Sequence, residues 1–191
     1  MIHLYIARHG QTEENVQRIL QGQMPGHLTQ EGVLQAETLR DKLRDVYFHE
    51  IYTSDLLRAE VTTRIISEPH GGRYVLEPLL RERDFGIHTG GPYIKIARAL
   101  DPSAETMEDL AQRAADFLTK MVCNHETSAA QDVHILAVSH GLFLRVLQAV
   151  YHQCPVREIE KMENAEVRTL TLCQDMHFDI SPLEETGGTA N

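Results

Sequence analysis

Apolar positions along this chain repeat at two periods, and the switch between them marks the elements. Residues 3–9, HLYIARH, form a short β-rich run that reads as a buried strand. Residues 28–46 follow with Thr29 as a plausible N-cap, and Val33, Ala36, Leu39, Leu43 and Val46 fall at helical spacing. EIYTS (50–54) reads as a second strand, 55–67 as a helix, and YVLEP (74–78) as a third strand. In 106–122, Met107, Leu110, Ala114, Phe117, Leu118 and Met121 share one helical face. VHILAVSH (133–140) has the strongest strand pattern in the chain, with a helix over 141–152 directly behind it. Residues 167–180 alternate on both sides of Gln174-Asp175, which predicts a terminal hairpin.

Strands alternating with helices predict an α/β fold: a three-layer sandwich with a mostly parallel central sheet flanked by helices. No internal repeat or linker interrupts residues 1–180, which read as one domain. The polar, small-residue tail 181–191 is expected to fray. In such sheets ligands gather at the C-terminal ends of the strands, where helix N-termini also point. The first strand ends at Arg8-His9-Gly10, the strand 133–140 at Ser139-His140-Gly141, and the helix after 50–54 carries Arg58 in its first turn. Three basic groups are therefore expected at one rim. Taken singly, His9 reads as a hydrogen-bonded structural residue more readily than as a nucleophile. The glycine after each histidine is expected to let backbone approach a ligand.

Composition narrows the partners. Hydrophobic residues make up 42% and charged residues 24%, a globular balance. The net charge of −10, from 18 Lys+Arg against 28 Asp+Glu, disfavours nucleic acid and anionic membrane as partners. A small anionic ligand stays open, since a few arginines can reverse the potential inside a pocket. Cys123, Cys154 and Cys173 form no CxxC pair and suggest no disulfide framework. No basic leader and no apolar run of ~18 residues occurs, so a cytoplasmic location is expected. The 11 histidines include no HExxH and no zinc-spaced cluster, so neither a metal nor a cofactor is expected. DFG at 84–86 lacks the other kinase motifs and is read as chance.

Five segments, in order, carry a resemblance: ARHGQTEEN, GHLTQEGVLQA (26–36), TSDLLRAEVTT (53–63), LRERDFG (80–86) and AVSHGLFLRVL (137–147). Together they resemble the histidine phosphatase, or phosphoglycerate mutase-like, superfamily. The resemblance implies that His9 is a nucleophile forming a phosphohistidine, that Arg8, Arg58 and His140 clamp phosphate oxygens, and that Glu82 is the acid and base. Glu82 by itself, within RERD, reads as a surface carboxylate. Asn15, Thr12, Gln21, Gly22 and Leu142 are implied on the substrate side. Guanidinium forks suit phosphate because they donate parallel hydrogen bonds and stay charged.

Two departures from the family pattern bear on substrate choice. Thr89 stands at a usually acidic position, and the stretch between Gly90 and Ala104-Glu105-Thr106 is short, implying a small cap insertion. Within it, Tyr93, Lys95 and Arg98 are candidate contacts to a second anionic group, or else a solvated helix face. The expected function is a phosphatase for small phosphorylated metabolites, as a monomer or a homo-oligomer. The alternatives are a 2,3-bisphosphoglycerate-dependent phosphoglycerate mutase, which needs a larger cap to exclude water, and a silent phospho-ligand-binding protein.

Overall fold

A computed structural model describes residues 1–92, 101–125 and 132–181. Its centre is a five-stranded sheet in the order β3-β2-β4-β1-β5. The strands are β1 (Ile2–Arg8), β2 (Glu50–Thr53), β3 (Val75–Leu76), β4 (Val133–Ser139) and β5 (Val167–Leu172). All neighbours run parallel except β5, which pairs antiparallel with β1. The helices are α1 (Glu13–Val16), α2 (Gln30–Leu43), α3 (Leu57–Ser67), α4 (Met107–Asn124) and α5 (Gly141–His152).

Strand periodicity builds the three layers. Ile2, Leu4 and Ile6 of β1, with Ile135 and Ala137 of β4, turn to one face and bury Leu110, Phe117 and Met121 of α4 and Phe143 and Leu147 of α5. Ala7, Leu136 and Val138 turn to the other and bury Leu39 and Leu43 of α2 and Ala59 and Ile66 of α3. The caps follow the sequence: Thr29 accepts from the Gly32 N–H, and Thr106 forms a capping box with Asp109.

The terminal hairpin does not form. After β5 the chain turns, but residues 176–180 make no ladder; Met176, Phe178 and Ile180 pack one by one against the α4–α5 core. Their alternation records core packing by an extended chain, not a strand pair. The third strand is likewise reduced to two residues, Val75 and Leu76. The short helix α1 has no apolar face and was not expected. Tyr93, Lys95 and Arg98, and the tail beyond Ser181, lie outside the described residues.

Candidate active site

The parallel pairing of β1 with β4 sets Arg8 opposite Ser139, and the His9 N–H donates to the Ser139 carbonyl at 3.0 Å. Both histidines therefore leave the sheet side by side, with ring centroids 5.2 Å apart. Arg58 reaches the same rim from the first turn of α3. These groups border a cavity of about 370 Å³ lined by Arg8, His9, Asn15, Gln21, Gly22, Arg58, Glu82, Gly141 and Leu142, together with Ile19, Leu20, Arg83, Phe85, Arg145, Lys161 and Met162. That volume is within the ~300–1,000 Å³ typical of small-molecule sites.

His9 is 3% exposed. Its Nδ1 lies 2.7 Å from the Gly10 carbonyl, which can only accept, so Nδ1 carries the proton. Nε2 is left with its lone pair and accepts from Arg58 Nε at 3.3 Å. Burial first, then the Arg58 and Arg8 charges, hold this imidazole well below its usual value of 6.5, against the opposing pull of the Gly10 bond. His9 is neutral at pH 7. His140 is also fully buried and held well below 6.5, again by burial first and then by Arg58 and its neighbours. Its Nε2 is 2.8 Å from Ser54 Oγ, and its Nδ1 has no partner among the described residues.

Arg58 is 1% exposed, and burial lowers it to about 10, so it stays charged at neutral pH. It donates through Nη1 to the Met24 and Pro25 carbonyls and through Nη2 to the Gly22 carbonyl at 2.7 Å. Four of its five N–H groups are thus engaged, and one Nη2 hydrogen is spare. Arg8 donates Nη1 to the Met162 carbonyl at 2.7 Å, and its buried Nε has no partner among the described residues. Spare donors on two cations, beside a neutral imidazole lone pair, suit an anion of tetrahedral shape.

The Glu82 carboxyl group faces them, held against the N-terminus of α5. Its Oε1 accepts from the Arg83 and Phe143 N–H groups at 2.9 and 3.0 Å, and its Oε2 from the Leu142 N–H at 3.1 Å. These three backbone donors, two of them at the start of this helix, fix the rotamer of the carboxyl group. Leu142 thus both lines the cavity and orients Glu82.

Asn15 commits Oδ1 to the Thr12 N–H and to Asn164 Nδ2, which leaves its Nδ2 for the cavity. Gln21 is 8% exposed with Oε1 unpartnered among the described residues. Gly22 has φ +50°, a path that lets its carbonyl reach Arg58. Thr12 and His140 are fully buried and outside the lining set. Thr12 spends its hydroxyl capping α1 through the Asn15 N–H at 3.1 Å rather than on the cavity.

Gly10 has a different purpose from the one expected, whereas Gly141 lines the cavity as expected. A Cβ on Gly10 would stand 2.4 Å from the Gly32 carbonyl oxygen, so Gly10 admits the start of α2, not a ligand. A Cβ on Gly141 would stand 3.3 Å from Arg8 Nε, so Gly141 makes room for a guanidinium.

Sequence reading missed Arg113 and Asn164. Asn164 donates Nδ2 to the His9 carbonyl at 3.1 Å. Arg113 donates to the carbonyls of Leu79, Arg81 and Glu82, in the loop segment that delivers Glu82. Its signal is a charged residue on an apolar stripe, three after Leu110 and four before Phe117. Asn164 acts on a backbone atom and leaves no pattern to read.

Several known proteins resemble this chain in sequence and fold. A probable fructose-2,6-bisphosphatase of Danio rerio, TIGAR A, is 30% identical over 200 aligned residues, covering 80% of this chain and 78% of that protein. A probable phosphoglycerate mutase of Enterobacter sp. (strain 638), GpmB, is 39% identical over 162 residues, covering 77% and 73%. The solved structure of a mycobacterial glucosyl-3-phosphoglycerate phosphatase superposes with a TM-score of 0.78 at 26% identity, covering 87% of this chain and 88% of the other. Residues 4–180, most of the chain, match the sequence pattern of one family, and the chain belongs to it: the histidine phosphatase superfamily, branch 1.

Proposed function

We propose that this protein hydrolyses small phosphomonoesters through a phosphohistidine on His9. The observation that carries the reading is the neutral His9 ring, its Nε2 lone pair turned toward Arg58 in a cavity that also holds Arg8 and Glu82. In the first step His9 Nε2 bonds to phosphorus as the bond from phosphorus to the ester oxygen breaks, and Glu82 gives its proton to that leaving oxygen. In the second, a water oxygen bonds to phosphorus as the N–P bond breaks, and Glu82 takes the water's proton. Inorganic phosphate and the starting enzyme remain.

Charge on the equatorial oxygens is met by the spare donors of Arg8 and Arg58, with His140 beside them. Donors preorganised in a buried site do for the transition state what a divalent cation does elsewhere, so the reaction needs no metal. A small phosphorylated metabolite as substrate and a cytoplasmic location belong with this reading; among the described residues no helix is long and apolar enough to cross a membrane.

The 39% identity to a probable phosphoglycerate mutase favours a second reading, phosphoryl shuttling between positions of one substrate. The short stretch from Gly90 to Ala104 weighs against it, since a mutase must keep water from its phosphoenzyme. A silent binding protein is disfavoured because nucleophile, clamp and acid all meet. The test is p-nitrophenyl phosphate turnover with a chelator present, in the native protein and in His9→Ala. Turnover that survives the chelator and vanishes with His9 is expected. Bisphosphoglycerate-dependent interconversion of phosphoglycerates without net hydrolysis would replace the phosphatase reading by the mutase.

A further inference from the structure

Glu82 stands on a loop, between the 3-10 turn Pro78–Leu80 and α4. Loops are poor supports for a group that must meet a reacting oxygen in one geometry. One guanidinium supplies the missing stiffness. Arg113 of α4 donates Nη1 to the Leu79 and Arg81 carbonyls at 2.8 and 2.6 Å, and Nη2 to the Glu82 carbonyl at 3.4 Å. Its Nε and its other Nη2 hydrogen form a fork on the Glu105 carboxylate, both at 2.9 Å. All five donors are used.

Glu105 completes the grip from the other side of Glu82. Its N–H donates to the Asp84 carbonyl at 2.9 Å, its Oε2 accepts from the Asp84 N–H at 3.2 Å, and its carbonyl accepts from Arg83 Nε at 2.8 Å. The Arg113 guanidinium also lies 4.8 Å from the Phe143 ring centroid, and the Phe143 N–H is one of the three that hold the Glu82 carboxylate. Both the backbone and the carboxylate of Glu82 are therefore tied to Arg113, which is itself outside the set of residues lining the cavity.

We infer that Arg113, braced by Glu105, is a positioning residue for the proton transfers of Glu82. This rests on the phosphatase reading above. Its consequence is selective. Phosphoryl transfer from p-nitrophenyl phosphate releases a stable anion and needs no proton from Glu82; transfer from an alkyl phosphate releases an alkoxide and does.

The test compares kcat/KM, which reports steps up to phosphoryl transfer, for p-nitrophenyl phosphate and β-glycerophosphate in Arg113→Lys and Glu105→Gln. Lysine keeps the charge but cannot span three carbonyls and a carboxylate. The expected result is kcat/KM near native for the nitrophenyl ester and roughly 10- to 100-fold lower for the alkyl ester. Steady-state nitrophenol release should follow a burst and then slow, with phosphohistidine accumulating, because the water step still needs Glu82. Equal losses on both esters, or no loss on either, would overturn the inference while leaving the phosphatase standing. If Arg113→Lys shows no cooperative melt, Glu105→Gln decides on the same measurement. A native protein that turns over neither ester would overturn the phosphatase reading and this inference together.

Discussion

An imidazole that is to attack phosphorus needs an exposed lone pair and no proton on it, and two hydrogen bonds give His9 both. The Gly10 carbonyl accepts a hydrogen bond from Nδ1–H, which keeps the proton there, and Arg58 Nε–H donates to the Nε2 lone pair until a substrate arrives. Arg58 is also the tie between α3 and residues 22–25, through three carbonyls. Arg58→Ala should therefore fail twice. Losing a preorganised donor costs about 2.7–4 kcal/mol of barrier, roughly 10²–10³ in kcat/KM. Leaving buried carbonyls unpaired costs about 1–3 kcal/mol of stability as well. Steady-state kinetics and urea unfolding on the same preparation check both, and an active but destabilised variant would show that Arg58 is a brace and not a phosphate ligand.

At the scale of elements, the loop from β1 to α1 is set by glycine packing. A Cβ on Gly32 would stand 2.0 Å from the Gln11 carbonyl oxygen. Gly32→Ala must push α2 away from the turn after His9; overpacking of this kind costs about 1–3 kcal/mol, and turnover should fall with the melting temperature because His9 sits two residues from the clash. Thermal melts paired with p-nitrophenyl phosphate assays read both effects. The strands and long helices were legible in the sequence because their apolar periods of 2 and 3.6 are direct consequences of burial on two sheet faces. Arg8, His9, Arg58, Glu82 and His140 were legible as one group because motifs name side chains. What stayed hidden works through backbone: the carbonyls gripped by Arg113 and Arg58, the Asn164 bond to the His9 carbonyl, and the helix approach admitted by Gly10. Residues 176–180 misled for the complementary reason, since packing on a core leaves the same alternation as a ladder.

Over the whole molecule, β1 and β4 carry histidines at both ends. His9 and His140 close the rim where the cavity lies, while His3 and His134 stack at 4.9 Å at the opposite end, with His49 stacked at 6.4 Å on the far side of His134. His134 is lowered from 6.5 by burial and then by His3 and His49, against Asp132, and Tyr5 OH meets its Nδ1. His9 and His140 are lowered more strongly. A histidine lowered by folding takes up protons more readily when unfolded, so the stability these groups confer is full above about pH 6.5 and drains away as the pH falls below it. Melting temperatures should be level from pH 8 to 7 and drop by pH 5.5. His134→Gln should make that drop shallower with turnover intact, and an unchanged drop would acquit the stack. Finally, Arg58 holds residues 22–25 by atoms that every amino acid possesses. Mutation can change the Met24 side chain without loosening the anchorage of the chemistry, so a lineage built on this fold can acquire a new diet while keeping its old reaction.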